Sequence, residues 1–330
     1  MPANLTAQYL KAEEAYRQAT TIEEELKCLQ VMLQEIPKHK GTDHLQAQLK
    51  SKISKAKKEM AAEKRTGKKT RGLRIPRQGA GSAILLGGPN AGKSQLVASL
   101  TRATPEVAPY PFTTTAPAPG MMPWEDVMVQ LIDTPPITGD YMETHLHGLI
   151  RSADLALLLV DLAADEGIEQ CQDVLDRLST TKTRLATRSY LDEEDVGLSY
   201  TQTFLVPNKI DLPEAAARLE LLHDLCPLDF TEYCVSAKEG TGLEALREAV
   251  YRAMDVLRVY TKLPAAKQPD FDRPFTVRRG STLLELAGQV HKDYLEGLKF
   301  ARVWGTAVHD ATSVKGDYVL NDKDVVELHM

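Results

Sequence analysis

The sequence predicts an α/β protein: a mostly parallel sheet with helices on both faces, preceded by a helical hairpin and followed by a small mixed sheet wrapped on one helix. Three observations predict it. From about residue 80, short apolar runs alternate with helical segments, the pattern of strands joined by crossover helices. Residues 1–66 place apolar side chains at helical spacing. Beyond Tyr260, strand-like runs surround one capped helix. The expected units are 1–78, 79–260 and 261–330.

The elements follow in order. Leu26, Leu29, Leu33 and Ile36 mark one face of a helix, which Pro37 and Gly41 break. Thr42 or Asp43 fits the N-cap of a second helix with the stripe Leu45, Leu49, Ile53, Ala56 and Met60. The two stripes are expected to pack as a hairpin. Strands are expected at Ala83–Leu86, Val127–Ile132, Leu155–Val160, Phe204–Val206 and Tyr233–Val235, and helices at Lys93–Arg102 and Leu243–Val259. Arg188–Ser199 reads as a polar surface loop. In the last unit, Phe275–Arg278, Phe300–Trp304, Tyr318–Leu320 and Val325–His329 read as strands, and Thr282 with Glu285 fits a capping box opening a helix through His291.

Composition bounds the class. The chain has 330 residues, 43% apolar and 26% charged, so it can build packed cores and wholesale disorder is excluded. No apolar run is long enough to span a bilayer, and the N-terminus has no apolar signal core, so a soluble cytoplasmic protein with no membrane partner is expected. Four scattered cysteines without CxxC spacing read as small buried hydrophobes. Net charge is −6, yet residues 48–79 are rich in Lys and Arg with only Glu59 and Glu63 opposing. That asymmetry points to a local polyanion-binding segment, whose plainer alternative is a solvated helix face and linker.

Gly87-Gly88-Pro89-Asn90-Ala91-Gly92-Lys93-Ser94 is GxxxxGKS, set after an apolar strand and before a helix. Glycines let the backbone N–H groups curl toward phosphates, and the helix that continues through Gln95 adds its positive N-terminus. Lys93 would reach the β and γ phosphates and the Ser94 hydroxyl would bind Mg²⁺. Asn208-Lys209-Ile210-Asp211 follows a strand further on. A carboxylate at Asp211 accepts from guanine N1–H and the N2 amino group, at about 1.5–3 kcal/mol per charge-assisted bond, and adenine offers no such pair. Lys209 would lie along the base, and Asn208 would tie this loop to the phosphate loop. Ser236-Ala237-Lys238 falls where a backbone N–H would meet guanine O6.

In this order and spacing, the three motifs resemble those of the translation-factor-related GTPases. Tyr110-Pro111-Phe112-Thr113-Thr114 resembles the first switch of the Obg and DRG (developmentally regulated GTP-binding) families. The resemblance implies that Phe112 and Thr113 line the nucleotide and that Thr114 closes on Mg²⁺. Ile36–Thr42 with the helix after it resembles the DRG N-terminal segment. Tyr260-Thr261-Lys262, Pro269-Asp270-Phe271, Arg278-Arg279-Gly280, Val290-His291-Lys292-Asp293 and Val303-Trp304-Gly305-Thr306 resemble the TGS domain, a ubiquitin-like β-grasp module. The resemblance implies a P-loop GTPase that binds GTP and GDP with Mg²⁺, with Lys93 and Thr114 in catalytic roles. It also implies ribosome or RNA contact through basic residues 50–77 and the TGS domain, with no DNA specificity.

The sequence departs from the family at several points. The second switch should read DxxG, but here it is Asp133-Thr134-Pro135-Pro136. Asp133 would hold Mg²⁺ through water. Pro136 lacks the N–H that the glycine gives to the γ-phosphate. Weak discrimination between GTP and GDP is therefore expected. Ile137 is no departure from Obg and DRG relatives, which are also apolar there, but it stands where many small GTPases carry a water-orienting Gln; an apolar side chain cannot position water, so hydrolysis should be slow. Asn90 is a candidate to hold K⁺, or simply a turn residue. The interval between Asp161 and Asn208 is too short for the extra domain of DRG proteins, which makes this a trimmed relative.

Other residues point to less. His145 and His147 do not share a helix face. Trp304 and Tyr294 are expected in the C-terminal core in preference to nucleobase platforms. Asp161 and Asp165 flank a strand end without an assignable partner. Two functions follow from these readings: a slow Mg²⁺-dependent GTPase acting with ribosomes or RNA, or a guanine-nucleotide-binding RNA or ribosome adaptor with no turnover.

Overall fold

The computed structural model describes residues 6–19, 22–37, 42–66, 75–101, 117–143, 145–192, 198–264, 266 and 268–330, with backbone alone for 17, 18, 22 and 58–66. The chain opens with three helices, α1 (Ala7–Gln18), α2 (Ile22–Glu35) and α3 (Asp43–Thr66). Helices α2 and α3 are the expected hairpin, and α1 lies in the stretch 1–66 that reads as helix, where it adds a third helix to the hairpin. Thr6 caps it by accepting from Tyr9 N–H, and Tyr9, Ala12 and Tyr16, one helical stripe, pack onto Leu26, Leu29, Met32, Ile36, Leu49, Ile53 and Ala56. Met60 lies outside the described side chains.

The central sheet follows. Its elements are β1 (Ser82–Leu86), α4 (Lys93–Thr101), β2 (Ala118–Trp124), β3 (Val127–Asp133), α5 (Leu146–Ser152), β4 (Leu155–Asp161), α6 (Glu166–Ser179), β5 (Thr183–Ala186), β6 (Tyr190–Leu191), β7 (Ser199–Asn208), α7 (Ala215–Leu225), β8 (Thr231–Glu232) and α8 (Leu243–Ala253). The strand order is β2-β3-β1-β4-β7-β5, with β6 and β8 also paired to β7. All pairings are parallel except β2 with β3 and β6 with β7. Alternation along the strands feeds two cores. Ala83, Leu85, Leu157 and Leu159 face α4 and α8, while Ile84, Leu86, Leu158 and Val160 face α5, α6 and α7. Strands buried on both faces explain why they read as continuous apolar runs.

Three expectations are corrected here. Regular pairing at the sheet edge falls on Thr231–Glu232, and Val235 adds only an isolated bridge to Asn208. The helix expected to reach Val259 ends at Ala253, because Asp255 turns left-handed at φ 49° and the β-branched run after it becomes a strand. Part of the expected polar loop is β6. Its Leu191 is buried among the N-terminal helices, while residues 193–197 lie outside the described residues.

The C-terminal sheet runs β9 (Val256–Thr261), β10 (Asp270–Arg278), α9 (Leu283–Val290), α10 (Lys292–Gly297), β11 (Phe300–Gly305), β12 (Val308–Val314) and β13 (Asp324–His329). Strand order is β10-β9-β13-β11-β12, with β9 and β13 parallel and the rest antiparallel. Strand β9 begins upstream of residue 261. The capping box of Thr282 and Glu285 is complete, and α9 lays Leu283, Leu286 and Ala287 on the sheet. Val319 of the expected strand Tyr318–Leu320 makes an isolated bridge to Thr282. Tyr294 packs at the core edge, but Trp304 does not join the core; Lys262 Nζ sits 4.9 Å from its ring centroid instead.

Candidate nucleotide site

Residues 87–92 turn from the end of β1 into α4, at the C-terminal edge of the parallel strands where crossover folds place their ligands. Gly92 has φ +91°, and a Cβ there would stand 2.2 Å from Asn208 Nδ2, so glycine is required twice over. Asn90 is exposed with φ 56°, the left-handed turn geometry asparagine tolerates. Gly88 is packed against Gln170 of α6, and Pro89 and Ala91 complete the turn.

Lys93 is buried, and its Nζ donates to Gly87 O at 2.9 Å and Gly88 O at 2.8 Å. Burial lowers its pKa to about 8 against the opposing pull of Asp133. Ser94 and Gln95 are exposed at the start of α4. Ser94 Oγ donates to Asp133 Oδ2 at 2.5 Å, which brings the end of β3 to the phosphate loop. Asp133 Oδ1 is buried without a hydrogen-bond partner. A hydroxyl beside a carboxylate with one orphaned oxygen is a donor set that suits a hard divalent cation such as Mg²⁺.

The two loops of the base side meet at Asn208, which ends β7 and is 2% exposed. Its Nδ2 donates to Ala91 O at 2.9 Å, and its Oδ1 accepts from Lys209 N at 2.8 Å and Ala237 N at 3.0 Å. Ser99 Oγ of α4 donates to Ala237 O at 2.6 Å. Asp211 is exposed, and a hydrogen bond from Ser236, then the charges of Lys238 and Lys209, hold it below the usual carboxylate range. Lys238 is exposed beside it. Lys209 has φ 69° and its Nζ meets Asp161 Oδ2 at 2.6 Å. Asp161 thus has a partner that its place in the sequence did not reveal, since the pairing spans strand ends 48 residues apart.

The second switch is anchored. Ile137 is fully buried against α5 and α6, and its N–H donates to Gly87 O at 3.2 Å. Pro135 is buried and Pro136 exposed. Phe112, Thr113 and Thr114 lie outside the described residues, as do Lys68, Lys69, Arg71 and Arg74 of the basic run. Within that run Arg77 is engaged elsewhere: it donates to Ser152 O and to the Asp154 carboxylate. Lys50, Lys55 and Lys57 are exposed on α3.

Residues 82–188 match the family model described as 50S ribosome-binding GTPase, and residues 257–330 match the TGS domain. The chain therefore carries a P-loop GTPase domain and a C-terminal TGS domain, and it is similar to DRG proteins over nearly its full length. An uncharacterized GTP-binding protein of Methanocaldococcus jannaschii is 29% identical over 363 aligned residues, covering 93% of this chain and 92% of the relative. That alignment is longer than the 330-residue GTPase itself, so the relative holds segments this one lacks. Developmentally-regulated G-protein 1 of Arabidopsis thaliana is 26% identical (92% and 90% covered), and Ribosome-interacting GTPase 1 of Saccharomyces cerevisiae is 24% identical (94% and 99% covered). Among solved structures, a GTP-binding protein from Pyrococcus horikoshii aligns with TM-score 0.45 at 14% identity, covering 75% of this chain and 99% of that one. No helix of the described residues is long and apolar enough to cross a membrane.

Proposed function

We propose that this GTPase is a slow, Mg²⁺-dependent GTP hydrolase that works with ribosomes or RNA in the cytoplasm. The observation that carries the reading is the meeting of Lys93, Ser94 and Asp133 beneath one loop, with the Asp133 oxygen left over. On binding, Lys93 exchanges its two carbonyl partners for the β and γ phosphate oxygens. Ser94 and Asp133, with Thr114, would hold Mg²⁺, which supplies charge neutralisation at the phosphates. Asp211 reads the guanine edge, Lys209 is laid along the base by Asp161, and the Ala237 region meets O6. Phe112, Thr113 and Gln95 border the nucleotide. Slowness follows from Ile137, whose side chain lies in the core and whose N–H is already engaged. Asn90 is the candidate ligand for K⁺.

Residues 1–78, 79–260 and 261–330 act in this scheme as basic arm, nucleotide switch and TGS module. RNA contact is assigned to the exposed lysines of α3, within residues 50–77, and to the TGS module, which predicts salt-sensitive binding without sequence preference. The name of the yeast relative, a ribosome-interacting GTPase, supports that partner class. The second reading, a nucleotide-dependent adaptor without turnover, is favoured by Pro136 and Ile137 together. Multiple-turnover phosphate release separates the two, measured in K⁺ and in Na⁺, with and without ribosomes, beside Lys93→Ala. Turnover that the variant abolishes supports the hydrolase. Nucleotide binding with no phosphate release in any condition leaves the adaptor.

A further inference from the structure

The β2–β3 hairpin links two places that nothing in the proposed chemistry connects. Its strands pair without interruption from Ala118↔Asp133 to Trp124↔Val127. At one end stands Asp133, bonded to Ser94; β2 at that same end begins four positions after Thr114. Asp133, the metal-side residue that the described strands carry, therefore stands at one end of a single ribbon.

The other end is gripped by the C-terminal sheet. The turn at Glu125 is left-handed at φ 46°, which turns Glu125 and Asp126 toward β9. Arg258 of β9 is 5% exposed. Its guanidinium donates to Glu125, to Asp126 Oδ1 at 3.1 Å, and to Asp322 through Nη2 at 2.8 Å. The Asp322 carboxylate also accepts from the Arg258 backbone N–H at 2.8 Å. Tyr260, two residues along the same strand face, donates its hydroxyl to Asp126 Oδ2. Behind the turn, Trp124 stacks on Tyr251 with centroids 5.8 Å apart, and Arg258 lies over the same Tyr251 ring at 5.7 Å. Glu125 is exposed and Asp322 half-buried, so both keep water, but breaking the network would leave the buried guanidinium an uncompensated charge, which makes the network costly to disconnect. It fixes the hairpin tip to the C-terminal sheet far more firmly than a surface ion pair does.

From this geometry we infer that Arg258 is a positioning residue for Asp133 and for the strand that follows Thr114, acting through the β2–β3 hairpin. The inference rests on the Mg²⁺ and GTP reading of the site given above. Strands in register do not stretch, so a shift of the tip is carried along the ribbon to the metal side. The coupling is reciprocal: whatever moves the C-terminal sheet changes Mg²⁺-dependent nucleotide affinity, and nucleotide state changes how that sheet is held.

The test uses the full-length protein. Dissociation constants for a non-hydrolysable GTP analogue are measured with Mg²⁺ and with chelator, for the unmodified chain, Arg258→Ala and Tyr260→Phe. The expected result for Arg258→Ala is a fall of about tenfold in the Mg²⁺-dependent gain in affinity, within the usual range of coupling between sites. Affinity in chelator should be unchanged, which a general loss of structure would not produce. Tyr260→Phe removes one hydroxyl at the tip and should lower the same gain several-fold; it decides the matter where Arg258→Ala does not fold. Wild-type Mg²⁺ dependence in both variants, or in Tyr260→Phe when Arg258→Ala does not fold, overturns the inference and leaves the site reading intact. No Mg²⁺ dependence in the unmodified chain overturns both.

Discussion

Replacing Asn208 with Ala should detach three loops from one another at once. The side chain satisfies Ala91 O, Lys209 N and Ala237 N. Ala91 and Ala237 are 1% and 3% exposed, so water cannot replace the lost partner at either residue. A buried backbone group left unsatisfied costs about 1–3 kcal/mol, so these two together cost roughly 2–6 kcal/mol. Lys209 is only half-buried, and its N–H adds about 0.5–1.5 kcal/mol. Relaxation of the loops relieves part of this in the free protein, but guanine and phosphate need them in register, so the loss reappears on binding. The assay is GDP titration beside thermal unfolding. Loss of a single bond, about 1.4 kcal/mol, is already tenfold in dissociation constant, so an increase of at least that size is expected together with a lower unfolding temperature. Asn208→Asp keeps the oxygen that serves both N–H groups but turns a carboxylate oxygen toward Ala91 O. It should weaken nucleotide as well, with the 208–237 link intact. GDP affinity within twofold of wild type in Asn208→Ala, at unchanged unfolding temperature, would refute the reasoning.

Three further outcomes follow from the same structure. Gly92→Ala must take φ +91° with a methyl group 2.2 Å from Asn208 Nδ2, so about 1–2 kcal/mol of backbone strain joins a displaced hydrogen bond; nucleotide affinity should fall, and less than additively in combination with Asn208→Ala, as titration of the double variant will read. Pro136→Gly returns a backbone N–H to the second switch, and the ratio of GDP to GTP-analogue dissociation constants should rise about tenfold, one charge-assisted bond less the added glycine freedom; an unchanged ratio refutes it. Burial opposes the charge of Asp126, but the Tyr260 hydroxyl and Arg258 outweigh it and hold that carboxyl below its ordinary range, and Arg258 does the same for Asp322. Depressed carboxyl values add stability above the unfolded pKa, about 3.9, and lose it as pH falls through the folded values. Trp124 fluorescence, read in a Trp304→Phe background, should therefore report the hairpin tip leaving the C-terminal sheet below about pH 4, in a step that Arg258→Ala abolishes.

Much of the architecture was legible because the central strands are buried on both faces. Ala83–Leu86 and Leu155–Val160 have no alternation to mistake, and the loops after them carry residue types that few other structures demand. Strand β2 was not legible: Ala-Pro-Gly-Met-Met-Pro-Trp holds two prolines and a glycine, and it forms because it is an edge strand paired only to β3. Helix α1 was legible as helix within residues 1–66, but its place in the packing was not; Tyr9, Ala12 and Tyr16 give a stripe only once Leu29 and Leu49 are there to receive it. The phosphate and guanine loops could be read locally, because each is a contiguous run of residues. Asp161 and Arg258 could not. Asp161 finds its partner 48 residues away and Arg258 finds its own between 64 and 133 residues away, and no spacing within the chain announces a contact made only by folding.

The bond between Asn208 Nδ2 and Ala91 O spans 117 positions. On a chain emerging during synthesis at about 5–20 residues per second, the phosphate loop would exist for roughly 6–23 s before Asn208 appears. Over that interval β1, β3 and β4 can assemble and Lys93 and Ile137 can hold the start of the loop at Gly87 and Gly88, but its far end at Ala91 lacks the Asn208 bond and the base side of the pocket does not yet exist. Guanine nucleotide is therefore a ligand of the nearly finished sheet alone, and its binding energy favours completion of the fold over any earlier intermediate.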